Sequence, residues 1–314
     1  LIKVILKSVI LVRIFLLLSI VATSFNALAS ENYSDHEAFC LQQPKTHCLT
    51  YIETRLNEVK DNPAQWYKIK TYQFDYYYDY QQFENLLNAI TPFLEQDKLP
   101  DVFKLQMYFY YAKALNYIGK KAEAKTYAAK AFTQLDGIYN AFGDPLRLVE
   151  LANLHYVFGS KKAAMRLLRD AEQRFAKNND PIFHLELHIN KAHIYLKWQQ
   201  YEHAVKSNLM AYNAIKNTNH AAKIVLASGN LAYSYQQNKE YLEAINYYKT
   251  AFKFTEPSSI YHAIYSLRLA QVYLQIGKKV QAKEWLSRID RNATEFGKGH
   301  AALYSKLQHA LSNN

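Results

Sequence analysis

Glycine and proline are scarce in this chain, 8 and 7 among 314 residues. So few turn-formers and helix breakers exclude a fold of many short strands and favour long helices. Cysteine is scarcer: Cys40 and Cys48, in "CLQQPKTHC", are the whole supply. A structural zinc site needs more ligands than that, and a CxxC redox pair needs a different spacing. Catalytic motifs are missing too. There is no Gly-x-Ser-x-Gly elbow, no phosphate-binding loop and no His-Glu-x-x-His. The chain is therefore read as non-enzymatic, with no cofactor implied. No stretch rich in proline, glycine and serine divides it, so one continuous body is expected. Half of the residues are hydrophobic, ample for a large core or for an array that buries its core layer by layer.

The opening stretch, "LIKVILKSVILVRIFLLLSIVATSFNALAS", has a basic start at Lys3 and Lys7 and an apolar run through Ile14–Ala22. It ends in Ala27-Leu28-Ala29 before Ser30, the small-x-small spacing that a signal peptidase accepts. Arg13 interrupts the apolar run and leaves it short for a membrane span. Residues 1–29 are thus expected to be a signal peptide cut after Ala29. The product would be periplasmic or secreted, with no stable membrane anchor. Lipidation at Cys40 is disfavoured, because Phe39 stands where a lipoprotein box wants a small residue. In an exported chain the close pair Cys40 and Cys48 reads as a disulfide. It would tie the N-terminal segment, 30–61, to the first helix, with a chain-entropy effect of about 2–3 kcal/mol. Loss of Lys3, Lys7 and Arg13 leaves 35 basic against 27 acidic residues, a net charge of +8. Such a surface suits an acidic partner or an anionic envelope component. Nucleic acid is not expected for an exported chain.

What the chain has in abundance is tyrosine, 27 residues of it. A tyrosine fills apolar space with its ring while its hydroxyl stays at a wet edge. It also has small residues at fixed intervals. Alanines recur at 112, 152, 192, 232 and 270, a second set at 124, 164, 204, 244 and 282, and a third at 131, 171, 211 and 251 with Ile289 closing the series. Three registers moving together identify an internal repeat of 38–40 residues. Each unit reads as two antiparallel amphipathic helices. Where helix axes cross about 8–10 Å apart, a large side chain would force them apart, so alanine marks the crossings. Turns are expected at Gly119-Lys120, Gly159-Ser160, Gln199-Gln200, Lys239-Glu240 and Gly277-Lys278, with glycine where a helix end needs a left-handed residue. A degenerate unit, 62–96, precedes these, and its Pro92 should kink or shorten the second helix. Residues 48–59 read as an N-terminal capping helix and 299–311 as a C-terminal one.

The units carry a family resemblance. A helix-turn-helix with a small residue in the first helix, tyrosine near its end and two alanines in the second resembles the tetratricopeptide repeat. "GNLAYSYQQNKEYLEAINYYKTA" (229–251), "YLQIGKKVQAKEWL" (273–286) and "YIGKKAEAKTYAAKAF" (117–132) carry it best. The units are longer than that family's common length and mostly lack its terminal proline. The resemblance implies an all-α fold, a right-handed α-solenoid of about six helix-turn-helix repeats over residues 62–298. Terminal capping helices would flank it, the last with the tail at 299–314. More loosely, an export signal with tyrosine-rich long repeats looks like periplasmic sensor segments of some bacterial signalling proteins.

The resemblance also implies a concave wall built from the first helices, and a protein or peptide partner lying on it. The side chains it places there are Gln106, Phe109, Lys113, Asn116 and Tyr117, then Asn153 and Tyr156. Next come Glu186, Ile189, His193 and Lys197, then Tyr233, Gln236 and Gln237, and last Gln271 and Gln275. This amide- and tyrosine-rich wall suits an extended peptide. The Lys-and-Asn clamp of some family members is not reproduced, since Phe109 takes one cation position. Two stretches compete for attention. His184 and His188, one turn apart in "HLELHINKAH", invite a metal, but Glu186 and His193 lie on other faces and no metal site is assigned. "DYYYDY" (75–80) offers an aromatic platform, though its tyrosines should divide between core and rim. The expected function is an exported docking scaffold; the alternative is a periplasmic sensory or regulatory subunit acting on a membrane partner.

Overall fold

The computed structural model describes residues 35–40, 47–142, 145–257, 259–290 and 296–312. The expected signal peptide, 1–29, lies outside the described residues. All those described belong to one compact unit, Asp35–Asn314, and no strand occurs among them. A short helix α1 (His36–Phe39) and α2 (Cys48–Glu58) lead in. Helical hairpins follow: α3 (Pro63–Asp79) with α4 (Phe83–Ile90), α5 (Asp101–Tyr117) with α6 (Lys121–Phe142), and α7 (Pro145–Phe158) with α8 (Lys161–Arg174). The series continues with α9 (Pro181–Lys197) and α10 (Tyr201–Ile215), α11 (Ala221–Gln237) and α12 (Tyr241–Lys253), and α13 (Ile260–Gln275) and α14 (Lys279–Ser287). Helix α15 (Lys298–Ser312) closes the array against α13 and α14. No described helix is long and apolar enough to cross a membrane.

The periodic alanines sit where the packing argument requires them. Ala112, Ala124, Ala131, Ala152, Ala164, Ala171, Ala192, Ala204, Ala211, Ala232, Ala244, Ala251, Ala270 and Ala282 are all fully buried, and Ile289 nearly so. Larger side chains fill the space between hairpins, such as Phe183 and Leu187 with Leu168, and Tyr248 with Leu267 and Leu269. In every hairpin after the first the two helices share the most extensive contact, and each second helix then touches the next first helix. The hairpins thus form a continuous all-helical solenoid.

The turns show why the period is so regular. Gln81, Gly119, Gln199, Lys239 and Gly277 have positive φ, from 56° to 92°. In each case the next N–H reaches back five residues, to the carbonyls of Tyr77, Leu115, Tyr195, Tyr235 and Tyr273. That is the Schellman closure of a helix end. Three of the five use Gln or Lys, accepting roughly 1 kcal/mol of left-handed strain to keep the geometry. The α7–α8 turn is a correction. Gly159 is not left-handed; Ser160 instead caps α8 by accepting from the Ala163 N–H at 3.4 Å. In the first hairpin, Pro92 ends α4 after eight residues and leaves a 3-10 turn, Thr91–Phe93.

Cys40 and Cys48 are at disulfide distance, 2.06 Å between sulfurs. This clip holds α1 next to α2. Phe39 stacks on Tyr72 of α3, with ring centroids 5.0 Å apart.

Candidate functional site

Two features draw mainly on the first helices of the hairpins: an ionic cluster that joins α1, α3, α5 and α11, and a pocket lined largely from α7, α9, α11 and α13.

The ionic cluster joins distant parts of the chain. Asp75 and Asp79, one turn apart on α3, face Lys223 near the start of α11, whose Nζ lies 2.8 Å from Asp79 Oδ2. His36 of α1 enters between them, donating its backbone N–H to Asp75 Oδ2 at 3.1 Å with ring Nδ1 at 2.9 Å from the same oxygen. Tyr110 of α5 donates to Asp75 Oδ1 at 2.9 Å. Glu37 Oε1 accepts the Ala222 N–H at 2.8 Å, one of the donors that the first turn of α11 cannot satisfy internally. His220 lies 3.7 Å from Glu37 and 3.8 Å from Asp35. The electrostatics follow this layout. Burial alone would raise Asp75, but the Lys223 ammonium and His36 outweigh it and hold the carboxyl below the usual range. Burial opposes the charge on His36 and Lys223, yet their carboxylate neighbours raise both. His36, Asp75 and Asp79 bring three potential metal-ligating atoms together. The Lys223 ammonium is already a cation in direct contact with Asp79 and acts on Asp75 through space, so this donor set is neutralised from within.

The pocket, with a volume of about 400 Å³, is lined by residues from Gln81 of the first hairpin to His300 of α15. Of the residues expected on the wall, Tyr156, His193, Lys197, Tyr233 and Gln237 line it. Asn116, Lys197 and Gln275 are exposed at the ends of their helices, as is Tyr117, which stacks on Phe83 at 4.0 Å and donates to Gln81. Others are committed internally. Gln106 donates to Glu150, Asn153 to Asn190, and Gln236 takes the Tyr248 hydroxyl while donating to Gln275. Lys113 packs its ammonium 4.1 Å over the Tyr78 ring, Gln271 accepts from Arg268, and Glu186 is raised by burial. Two residues are corrections. Phe109 is buried with Leu105, Leu135, Leu151 and Leu154, and Ile189 with Ile182, Leu185 and Ile215; apolar side chains at these positions turn into the core. His184 and His188 stack, while His184 Nε2 lies 2.6 Å from the Asn178 carbonyl oxygen, and burial lowers His188 to about 4. In "DYYYDY", Tyr76 and Tyr80 pack on His36, and Tyr78 packs on Tyr110.

Sequence reasoning missed several lining residues: Gln81, Asn230, Tyr261, Arg268 and His300. Arg268 was within reach, since it precedes Gln271 by three residues on the same helical row. Gln81 and Tyr261 come together because the two ends of the array approach each other across the inner face. Tyr261 is pushed up to about 12 by burial, with Gln81 as a hydrogen-bond partner. A side chain at Gly297 would begin 3.0 Å from the Tyr117 hydroxyl.

Comparison with known proteins adds the following. The tetratricopeptide repeat family profile matches residues 185–207 and 227–256, which span α9–α10 and α11–α12. No curated protein matches the sequence. The crystal structure of the APC/C hetero-tetramer Cut9–Hcn1 aligns with a TM-score of 0.58 at 15% identity, over 91% of this chain and 51% of that one. The chain therefore spans about half the length of that structure's chain. The apo form of RapI aligns with a TM-score of 0.52 at 15% identity, over 85% of this chain and 76% of that one. At such identities the likeness is one of fold. The two matched stretches resemble tetratricopeptide repeats, and the likeness to these structures is one of α-solenoid fold.

Proposed function

We propose that the protein is an exported, non-catalytic scaffold that seats an acidic segment of a partner protein over the open part of its inner face. One observation carries this reading. Tyr156, His193, Lys197, Tyr233 and Gln237, from three successive first helices, converge on one opening, and there Lys197 forms no ion pair with a carboxylate of the described residues. Backbone amides of a docked segment would meet Gln237, Asn116 and Gln275, and its side chains would lie on tyrosine rings. Helix α1 is itself fixed to α3 and α11, through His36 to Asp75 and Glu37 to Ala222. Affinity capture from an envelope extract tests the reading, comparing wild type with a Lys197→Glu, Gln237→Glu double variant of unchanged helicity. Loss of a protein captured by wild type is expected; an identical set of captured proteins overturns it. The exported state predicts a mature chain beginning at Ser30, read directly by intact mass.

A second reading, a regulatory subunit that responds to a ligand and acts on a membrane partner, is favoured by a different observation. Residues from both ends of the array line the pocket, Gln81 from the first hairpin and Arg268 and His300 from the last hairpin and α15. A ligand between them would bias how those ends meet.

A further inference from the structure

Below the mouth of the cleft, the pocket floor has a chemistry that a protein segment running across the opening would not use. We propose that this floor is a binding site for a small organic anion, in chemical class an aromatic carboxylate, with its carboxylate on Arg268 and Asn230. The proposal goes beyond the docking scaffold and does not depend on it.

Charge is the first argument. The lining includes Lys197 and Arg268 but no aspartate or glutamate. Neither cation forms an ion pair with a carboxylate of the described residues, whereas Lys191 and Lys223 each do. Arg268 is nevertheless held in place. Its guanidinium carbon sits 5.1 Å from the centre of the Tyr233 ring, and Nη1 donates to Gln271 Oε1 at 3.1 Å. One donor is spent, and the rest of the fork suits a planar carboxylate. The second argument is independent. Asn230 lines the same pocket, where its side chain hydrogen-bonds to His193 while its Nδ2 donor remains buried with no acceptor. A buried amide in that state is explained by a group that the protein itself does not supply.

The walls select for a ring. Tyr265 donates its hydroxyl to the Val225 carbonyl at 3.0 Å and Tyr248 donates to Gln236 at 2.9 Å. Their hydroxyls are thus engaged, and with Tyr156 and Tyr261 they offer aromatic surface. A volume of about 400 Å³ falls in the range of small-molecule sites and is short for an extended segment. The imidazoles agree with the charge argument. Burial and nearby cations lower His193 (Lys113, Lys197) and His300 (Arg268) to about 4, so both are neutral in a positive pocket that lacks its counter-charge.

Isothermal titration of the purified full chain with 4-hydroxyphenylacetate tests this, set beside its neutral amide, inorganic phosphate and the tripeptide Ala-Ala-Tyr. Saturable binding of the acid is expected, weakened at least about tenfold in Arg268→Gln, since a charge-assisted hydrogen bond is lost. Circular dichroism checks that the variant is folded. Should it not fold, Asn230→Asp, which sets a like charge beside the carboxylate, must abolish binding in the same assay. Four results overturn the proposal. They are no saturation by about 10 mM acid, equal binding of amide and acid, equal binding of phosphate, and tighter binding of the tripeptide. The last would assign the floor to a chain end.

Discussion

Gly229 lies in mid-helix on α11, where glycine ordinarily weakens a helix by about 1 kcal/mol relative to alanine. The structure shows why it is there. A Cβ at this position would fall 2.2 Å from the Tyr265 hydroxyl and 2.5 Å from Cε1 and Cζ of the same ring. Tyr265 has nowhere to retreat. It is buried, and its hydroxyl is bound to the Val225 carbonyl one turn earlier on α11. Gly229→Ala must therefore push the ring outward. The helix gains about 1 kcal/mol in propensity, but overpacking costs roughly 1–3 kcal/mol and the lost hydrogen bond about 1 kcal/mol. The balance is a destabilisation of about 1–3 kcal/mol. Urea unfolding followed by circular dichroism measures it, and the control lies in the partner residue. With Tyr265→Ala in the background there is no ring to displace, so Gly229→Ala should become stabilising by up to about 1 kcal/mol. If Gly229→Ala is neutral or stabilising in the wild-type background, the close approach of α11 and α13 at this point is refuted. The pocket wall built from Gly229 and Tyr265 falls with it.

Three further outcomes follow from the packing and the charges. Ala232→Leu, at a fully buried crossing, should cost about 1–3 kcal/mol by overpacking, whereas Leu242→Ser, at a residue 73% exposed, should stay within about 0.5 kcal/mol; the two urea midpoints read the difference. Lys223→Met leaves Asp79 buried without its ion-pair partner and Asp75 with only His36 as a cationic partner and should cost about 3–5 kcal/mol; a smaller change in the same assay would mean that water solvates the pair. The docking of α1 should depend on pH with two limits. Burial opposes the charge on Glu37, but the His220 hydrogen bond, Lys223, the Ala222 N–H and His36 together outweigh it and lower the carboxyl from 4.5, so its contribution is present above 4.5 and is lost as pH falls through its lower folded value. His220 is raised from 6.5 by Glu37, and His36 by its Asp75 hydrogen bond against burial; their contribution is present below 6.5 and lost as pH rises through the raised values. Hydrogen exchange at the Ala222 amide, corrected for intrinsic rate, should show greatest protection between those limits, and a flat profile would show that the latch is not ionic.

The regular part of this fold was legible because the constraint behind it is local. Every hairpin must solve the same crossing problem, so alanine returns at 192, 232 and 270. The same turn geometry returns at Gln199, Lys239 and Gly277. Gly159 looked like another such turn from residue type alone, but Ser160 provided a different way to end one helix and start the next. The wall was half legible for a related reason. Register places a residue on a face, while side-chain chemistry decides whether it stays there. Phe109 and Ile189 hold wall positions by count and core positions by hydrophobicity. Lys197 and Gln237, which cannot be buried cheaply, stay at the opening.

The irregular part left no periodic trace. His36, Asp79, Lys223 and Glu37 meet across separations of up to 185 residues, and each occurs once, so no self-comparison of the sequence can pair them. Yet they matter to the pocket as much as the repeats do. Repetition builds a wall whose curvature accumulates unit by unit. Whether that wall encloses anything depends on contacts between its first and last units. Here Asp79 and Gln81 of the first hairpin reach Lys223 and Tyr261, and Tyr117 reaches Gly297. Arg268 and His300 thereby face Tyr156 and His193 across a few hundred cubic ångströms. A substitution at Gln81, whose side chain pairs with Tyr117 and Tyr261, should therefore alter the pocket while leaving the repeats intact. The concavity comes from the alanines, and the site comes from the polar residues that draw its ends together.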